Sequence, residues 1–369
     1  MGEKWATILF ADIAGCAEVS NHHDLQRYSE FLKQFHEAAS EVRKRVLSRY
    51  SEPQEMEFSV RGDEVCLILH KGKDAASYFE DMKRGILYAI FLKLGWLLSD
   101  HNQQRIESAL LPMNLGIGIH HGPVWVDIYP CNIFGKDRES SEGYSINFAK
   151  RVEGCSRQGT SSRIFLSQAA KYLADEAIQL DQDRQFDLKG ISPDPYLVEV
   201  KDIDVGSILK RTDFEIPHGW LPDSTLQKYI EVAQIHSGTE QWLTRLLHLY
   251  LKGLNEERSL LMLGKMYFNR GCTLGKLGDH KGAIENYEIA VEVKPDWEPF
   301  LNMSVSYGEL GRWREALRCC EKARDLRLSE KGRRGLKSID QQIEMCKSQL
   351  RKRGRTKNPR REKGVSEKH

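Results

Sequence analysis

The chain has 369 residues, 40% of them hydrophobic and 29% charged. That length allows two domains, or one domain with a repeat module, and the composition excludes fibrous and low-complexity classes. The formal net charge of +2 gives no general case for stable nucleic-acid binding, because the excess positive charge sits in the C-terminal tail.

Met1-Gly2-Glu3-Lys4-Trp5 runs straight into a strand pattern, with no signal-peptide character. Residues 5–11 are an apolar run, the pattern of a buried strand. Residues 24–50 carry helical spacing through Leu25, Tyr28, Phe31, Leu32 and Phe35. Residues 58–60 and 65–69 flank Gly62-Asp63 and predict a hairpin. Residues 75–100 predict a second long helix. Its apolar stretch 86–98 is interrupted by Lys93, so it reads as a buried helix and not a membrane span. Residues 115–119 and 124–128 flank His120-His121-Gly122-Pro123 and predict a second hairpin. A helix over 144–154 and strands at 164–166, 186–188 and 196–200 follow. The order βαββαβ predicts an α+β sheet with its helices packed on one face.

Residues 201–255 read as a less regular connector, broken at Pro217 and Pro222, with a helical apolar stripe from Trp242 to Tyr250. From Met262 onward there is an internal repeat: Gly278, Ala283, Tyr287 and Ala290 recur as Gly311, Ala316, Cys320 and Ala323, a period of 33 residues. Small residues at such places let antiparallel helices pack closely, and the pattern resembles the tetratricopeptide repeat. A protein partner there is the expectation, against the simpler reading that the pair extends a core. Residues 351–369, rich in Arg and Lys, predict a disordered tail. The predicted division is therefore 1–200 catalytic, 201–255 connector, 256–350 helical repeats and 351–369 tail. Eight cysteines without CxxC spacing, and with Cys319 beside Cys320, predict reduced thiols in a cytoplasmic protein.

Two short carboxylate motifs stand about fifty residues apart, Phe10-Ala11-Asp12-Ile13-Ala14-Gly15 and Arg61-Gly62-Asp63-Glu64. Each falls where a strand meets a turn. A lone Asp in such a place is usually a cap or turn former. Two of them aimed at one point can hold divalent cations, the standard device for phosphate-ester chemistry. The Ile13 carbonyl, beside the Asp12 side chain, is a further candidate ligand. Asn147 and Arg151 are four apart, on one face of the predicted helix: a carboxamide can orient a ribose oxygen and a guanidinium can stabilise a transferring phosphoryl group. Lys189, in Leu188-Lys189-Gly190, is a candidate for the terminal phosphate. His120 and His121 alternate faces of a strand and cannot easily share a metal, so packing is their expected role.

Together with Gly118-Ile119-His120-His121-Gly122 and Asn147-Phe148-Ala149-Lys150-Arg151, these motifs resemble the class III nucleotidyl cyclases over about residues 5–200. The resemblance implies a ferredoxin-like βαββαβ core and a homodimer with composite sites between the chains. It implies that Asp12, Asp63 and the Ile13 carbonyl hold two Mg²⁺ or Mn²⁺ ions. Asn147 and Arg151 would come from the partner chain, with Lys189 on the phosphates and Phe10 lining the substrate site. An NTP would become a 3′,5′-cyclic nucleotide and pyrophosphate. At the two base-selecting positions the family carries a purine-specific pair, but here they are Ser59 and Ser140. That departure resembles the pyrimidine cyclases of bacterial Pycsar antiphage systems, whose product activates a separate effector. The expected substrate is UTP, or CTP. The alternatives are an adenylate or guanylate cyclase, and a non-catalytic nucleotide-binding adaptor working through the repeats.

Overall fold

The computed structural model describes residues 2–22, 24–51, 54–129, 138–203, 223–235, 242–254, 256–329 and 335–356. The chain divides into two compact units, Met1–Leu254 and Asn255–His369.

In the first unit, β1 (Gly2–Ile13) leads through α1 (Cys16–His22) and α2 (Leu25–Val46) to the hairpin β2 (Met56–Arg61) and β3 (Glu64–Leu69). Then come α3 (Ala75–Leu97), α4 (Asp100–Glu107), β4 (Leu115–Tyr129) and β5 (Arg138–Glu142). The strands β2, β3, β1 and β4 are neighbours in that order and pair antiparallel. With α2 and α3 this is the ferredoxin-like βαββαβ core. The sheet continues through β6 (Ile164–Ser167) and β9 (Tyr196–Ile203) to β7 (Ile178–Leu180), while β5 pairs with β4 and β8 (Arg184–Gln185) with β9. The β4–β6 pairing is parallel, so the sheet is mixed.

Helix starts are fixed by side-chain caps. Asp24 accepts from the Arg27 N–H at the start of α2, and Asp74 accepts from the Ser77 N–H at the start of α3. The tyrosine hydroxyl of Tyr88 on α3 donates to the Ala39 carbonyl on α2 at 3.2 Å, joining the two helices. Lys93 is buried on α3. Its amine donates to Asn114 Oδ1 at 2.7 Å and to the Leu115 carbonyl, and burial holds its pKa well below the ordinary value.

Three expectations are corrected. Residues 115–129 are one strand, not a hairpin: His120, His121, Gly122 and Pro123 lie opposite Ile8, Thr7, Ala6 and Trp5 of β1. Pairing with β6 ends at Ile119 and pairing with β5 begins at Trp125. Among the described residues that edge has no partner at Pro123, and its missing N–H costs no ladder bond there. Second, helices cover both faces. The Thr7 methyl meets Gly85 of α3, whereas Ala6, Ile8 and Phe10 pack with Ala149 of α5 (Tyr144–Gly154). Third, the strand expected at 186–188 is β8, two residues earlier.

The seat for α5 is a trough in β4, because Gly116 and Gly118 carry no side chain on that face. A Cβ at Gly118 would stand 2.0 Å from the Glu153 backbone nitrogen. Gly118→Ala should therefore force α5 off the sheet and lower stability by about 2 kcal/mol or more. Thermal unfolding checks this, and an unchanged Tm would contradict the close approach.

Within the stretch read as connector, α7 (Asp223–Ile235) and α8 (Trp242–Leu254), the latter over the helical stripe expected at Trp242 to Tyr250, belong to the first unit and follow α6 (Gln168–Tyr172) in chain order. The Tyr229 hydroxyl of α7 donates to the Leu97 carbonyl that ends α3. Pro217 and Pro222 lie outside the described residues.

The second unit is all helical: α9 (Glu257–Lys276), α10 (His280–Val293), α11 (Trp297–Glu309), α12 (Trp313–Ser329) and α13 (Leu336–Thr356). The repeated residues have repeated roles. Gly278 and Gly311 take φ of +84° and +69° in the turns that follow α9 and α11. Ala283 and Ala316 are fully buried in one core with Tyr287, Cys320 and Ala323. The predicted basic tail is helical as far as Thr356, and the rest of it lies outside the described residues. Among the described residues no helix is long and apolar enough to cross a membrane.

Candidate active site

Asp12 is the penultimate residue of β1, held on both sides: it lies opposite Glu64 of β3 and Gly116 of β4. The next two amides fix the turn. Ile13 N–H donates to the Asp63 carbonyl at 3.3 Å, and Ala14 N–H donates to the Asn114 carbonyl at 3.0 Å. Gly62, at φ +61°, makes the tight turn that carries Asp63. His36 of α2 braces this turn, its Nε2–H donating to the Gly62 carbonyl at 2.7 Å. The sequence places both aspartates at strand ends, and the fold brings their carboxyl groups into contact.

Burial raises the Asp12 pKa to about 7, and the neighbouring Asp63 and Glu153 charges add to the rise, against the lowering effect of Lys150. Asp12 Oδ1 is buried, and among the described residues no donor reaches it, its close neighbour being another carboxyl group. Arg157 Nη2 lies 3.9 Å from Asp12 Oδ2 but is largely exposed, so this pair is weak. The Cys16 thiol, 3.4 Å from the Tyr28 hydroxyl, lines the same corner, and its own burial, ahead of the nearby Asp63 and Asp12 charges, raises its pKa to about 11.

This donor set fits a hard divalent cation: oxygen ligands only, excess negative charge and a buried oxygen without a donor. Among the described residues no group of three or more His, Cys, Asp and Glu is arranged to hold a metal. One or two carboxylates is the usual protein share for Mg²⁺, which completes its shell with water and substrate phosphate. Asp12 thus carries a cost in the metal-free protein. A carboxylate whose folded pKa lies above its unfolded value destabilises the fold above the folded pKa, and that cost fades as pH falls toward the unfolded value. Asp12→Asn should therefore raise the Tm of metal-free protein at pH 8, by on the order of 2 kcal/mol in stability, and remove most of the Tm gain given by Mn²⁺. Thermal scans with and without Mn²⁺ check both signs. A lower metal-free Tm at pH 8 would contradict the account.

Residues not singled out from the sequence complete the corner. The Lys150 ammonium bridges Glu64 and Glu153, at 3.0 Å from the latter, and stands 5.6 Å from the centre of the Phe10 ring. Phe10 itself is 7% exposed, so it forms the floor of the corner beneath Lys150 and not an open substrate contact. The Lys150–Glu153 spacing is legible as an i,i+3 pair. Their approach to Asp12 is not, because it depends on how α5 seats on β4.

Asn147 and Arg151 are exposed and lie four apart along α5, on a stripe offset from that of Lys150 and Glu153, while Arg157 lies beyond the end of the helix. The Arg151 guanidinium neighbours the Lys189-Gly190 turn: a Cβ at Gly190 would be 3.9 Å from Arg151 Nη2. Lys189 is exposed beside it. The candidates thus form two clusters, Asp12 with Asp63 and Arg151 with Lys189. Ser59 lies on β2 opposite Cys66, and Ser140 lies on β5 opposite Asp127. His120 and His121 are packing residues: His120 Nδ1 is 2.8 Å from the Ser167 hydroxyl, His121 Nδ1 is 3.2 Å from that of Thr7, and burial pushes both pKa values down to about 4.

Residues 264–296 match the family model of the tetratricopeptide repeat. No curated protein matches the chain. Among solved structures, the chain is similar to the guanylyl cyclase Cya2, at 20% identity over 55% of this chain and 95% of that one, with a TM-score of 0.45. It is also similar to the adenylyl cyclase CyaB from P. aeruginosa, at 19% identity over 54% and 95% of the two chains, TM-score 0.43. A third is the guanylate cyclase domain of RhGC from Catenaria anguillulae in complex with GTP, at 15% identity over 55% and 100%, TM-score 0.39.

Proposed function

We propose that the first unit is a nucleotidyl cyclase that converts an NTP to a 3′,5′-cyclic nucleotide and pyrophosphate. The observation that carries this is the meeting of Asp12 and Asp63, with a buried acceptor-only oxygen, at the end of a braced strand. Two Mg²⁺ or Mn²⁺ ions bound there would supply charge to activate the ribose 3′-hydroxyl and to stabilise the triphosphate. Asp12, Asp63 and the Ile13 carbonyl are the residues that would hold them. Arg151 neutralises charge that grows on the reacting phosphate, Asn147 orients the ribose, and Lys189 binds the terminal phosphate. Because Arg151 clusters with the Lys189-Gly190 turn and not with Asp12, a second copy of the chain supplies Asn147 and Arg151, in a homodimer with composite sites.

The base is a pyrimidine in this reading, and UTP or CTP the substrate. Its support is the small hydroxyl side chain at both Ser59 and Ser140, where neither purine-selecting pair is present. The product serves a separate effector, as in the antiphage systems that the motifs resemble. Competition among four equimolar NTPs with Mn²⁺ tests this, with cyclic UMP or cyclic CMP expected. Dominant cyclic AMP or cyclic GMP would replace the pyrimidine reading by a purine cyclase.

The match at 264–296 favours a protein partner for the second unit. If binding there were the whole function, the first unit would be a passive nucleotide sensor. Truncation after residue 254 separates the readings: a cyclase retains turnover where the dimer persists, and an adaptor has none to retain.

A further inference from the structure

The strands that carry Ser59 and Ser140 are tied together by a different pair. Ser141 N–H on β5 donates to Glu57 Oε2 on β2 at 3.1 Å, and the Ser141 hydroxyl donates to Glu57 Oε1. Glu57 precedes Ser59 by two residues, so both point to the same side of β2, about 7 Å apart along the strand. That side is fixed by the alternation. Phe58 points the other way, its ring against Tyr88 of α3 and under the Arg43 guanidinium of α2 at 5.2 Å. Glu57 and Ser59 therefore share the α5 side with Phe10 and Cys66.

Behind the carboxylate, His70 Nε2 lies 3.8 Å from Oε1, and His70 Nδ1 is 3.4 Å from Lys4 Nζ. Burial, and then the Lys4 charge, push the His70 pKa down to about 4, so His70 is neutral near pH 7 and does not cancel the Glu57 charge. An ionised carboxylate offers about four lone-pair sites and no donor, and Ser141 uses one on each oxygen. What remains is an acceptor edge. Its complement on a base is a donor: cytosine presents the two hydrogens of its 4-amino group at the edge of the ring, whereas the one donor of uracil, N3–H, stands between two carbonyl oxygens that the carboxylate repels. The Glu57–Ser141 tie also holds β2 and β5 within hydrogen-bond reach, which narrows the space left by Ser59 and Ser140 and suits a single ring over a purine.

We propose that Glu57 is the base-selecting residue of this site and that it selects cytosine, making CTP the preferred substrate. This rests on the cyclase reading, and it reverses the order of UTP and CTP expected from the two serines.

The test compares kcat/KM for CTP and UTP with Mn²⁺. Wild type should favour CTP at least tenfold, since a site that hydrogen-bonds one base edge strongly rejects an edge that leaves it unpaired. Glu57→Gln keeps an oxygen for Ser141 but adds a donor, and should lower the CTP/UTP ratio at least tenfold. A measurement on wild type alone guards against a misfolded variant: N4,N4-dimethyl-CTP, which lacks both amino hydrogens, should lose at least tenfold against CTP. The proposal is overturned if UTP, ATP or GTP dominates in wild type, if the ratio is unchanged in a folded and active Gln variant, or if the dimethyl analogue matches CTP. If no NTP is cyclised, the cyclase reading fails on its own, and equilibrium binding of CTP and UTP decides the role of Glu57. A CTP preference lost in Glu57→Gln supports it, and equal binding refutes it.

Discussion

Asp12→Ala and Asp63→Ala are each expected to reduce cyclic-nucleotide formation below about a tenth of wild type, a barrier increase of at least ~1.4 kcal/mol. The two carboxyl groups are in contact, so neither can replace the other's coordination when one is removed. The loss should be in kcat at saturating Mn²⁺ and not only in KM, because the lost interaction is with the groups that change charge in the transition state. Folding should survive. Removing Asp12 relieves like-charge repulsion with Asp63 and Glu153, and the backbone bonds that fix the turn, from Ile13 and Ala14, use no side-chain atom of Asp12. An unchanged circular-dichroism spectrum with lost turnover is the expected pair of results. Either variant retaining more than about a tenth of wild-type activity would remove that residue from the metal site.

Mixing inactive Asp12→Ala with inactive Arg151→Ala should restore activity. The warrant is the separation of the two clusters: Arg151 neighbours Gly190, on a stripe of α5 offset from that of Lys150 and Glu153, which address the Asp12 corner. In a two-fold dimer with sites shared between chains, each mixed dimer keeps one site with all its groups. Random exchange should then recover roughly a quarter of wild-type turnover, since about half the dimers are mixed and each has one of two sites intact. Subunit exchange shown by mass-tagged chains, with no recovery, would mean that each site is built within one chain.

The parts of the site legible in the sequence are those fixed by local rules. Asp12 and Asp63 stand at strand ends marked by Gly15 and Gly62, both of which adopt positive φ, at +83° and +61°. The repeat in the second unit was legible because its period places Ala283 and Ala316 in equivalent buried positions. Long-range pairing decided the rest. Gly122-Pro123 has the composition of a turn, but β1 pairs with the whole of β4 and overrides that local preference. Helices on both faces were signalled by Gly116 and Gly118, two residues apart on one side of a strand, a gap that only a second helix fills. β5 is polar along Arg138-Glu139-Ser140-Ser141-Glu142 and shows no apolar alternation, so the contact between Ser141 and Glu57 could not be read from the sequence. The approach of Lys150 and Glu153 to Asp12 was hidden for the same reason, since it follows from tertiary packing of α5.

The most direct test of the central claim is pyrophosphate release by the purified full-length chain, with Mn²⁺ and each of the four NTPs separately, measured alongside the nucleotide product by mass. A cyclase releases one pyrophosphate per cyclic nucleotide formed, so the expected result is matched yields of both with a pyrimidine NTP and neither with the Asp12→Ala variant. Absence of both products with all four NTPs, from protein shown to be folded and dimeric, would contradict the assignment.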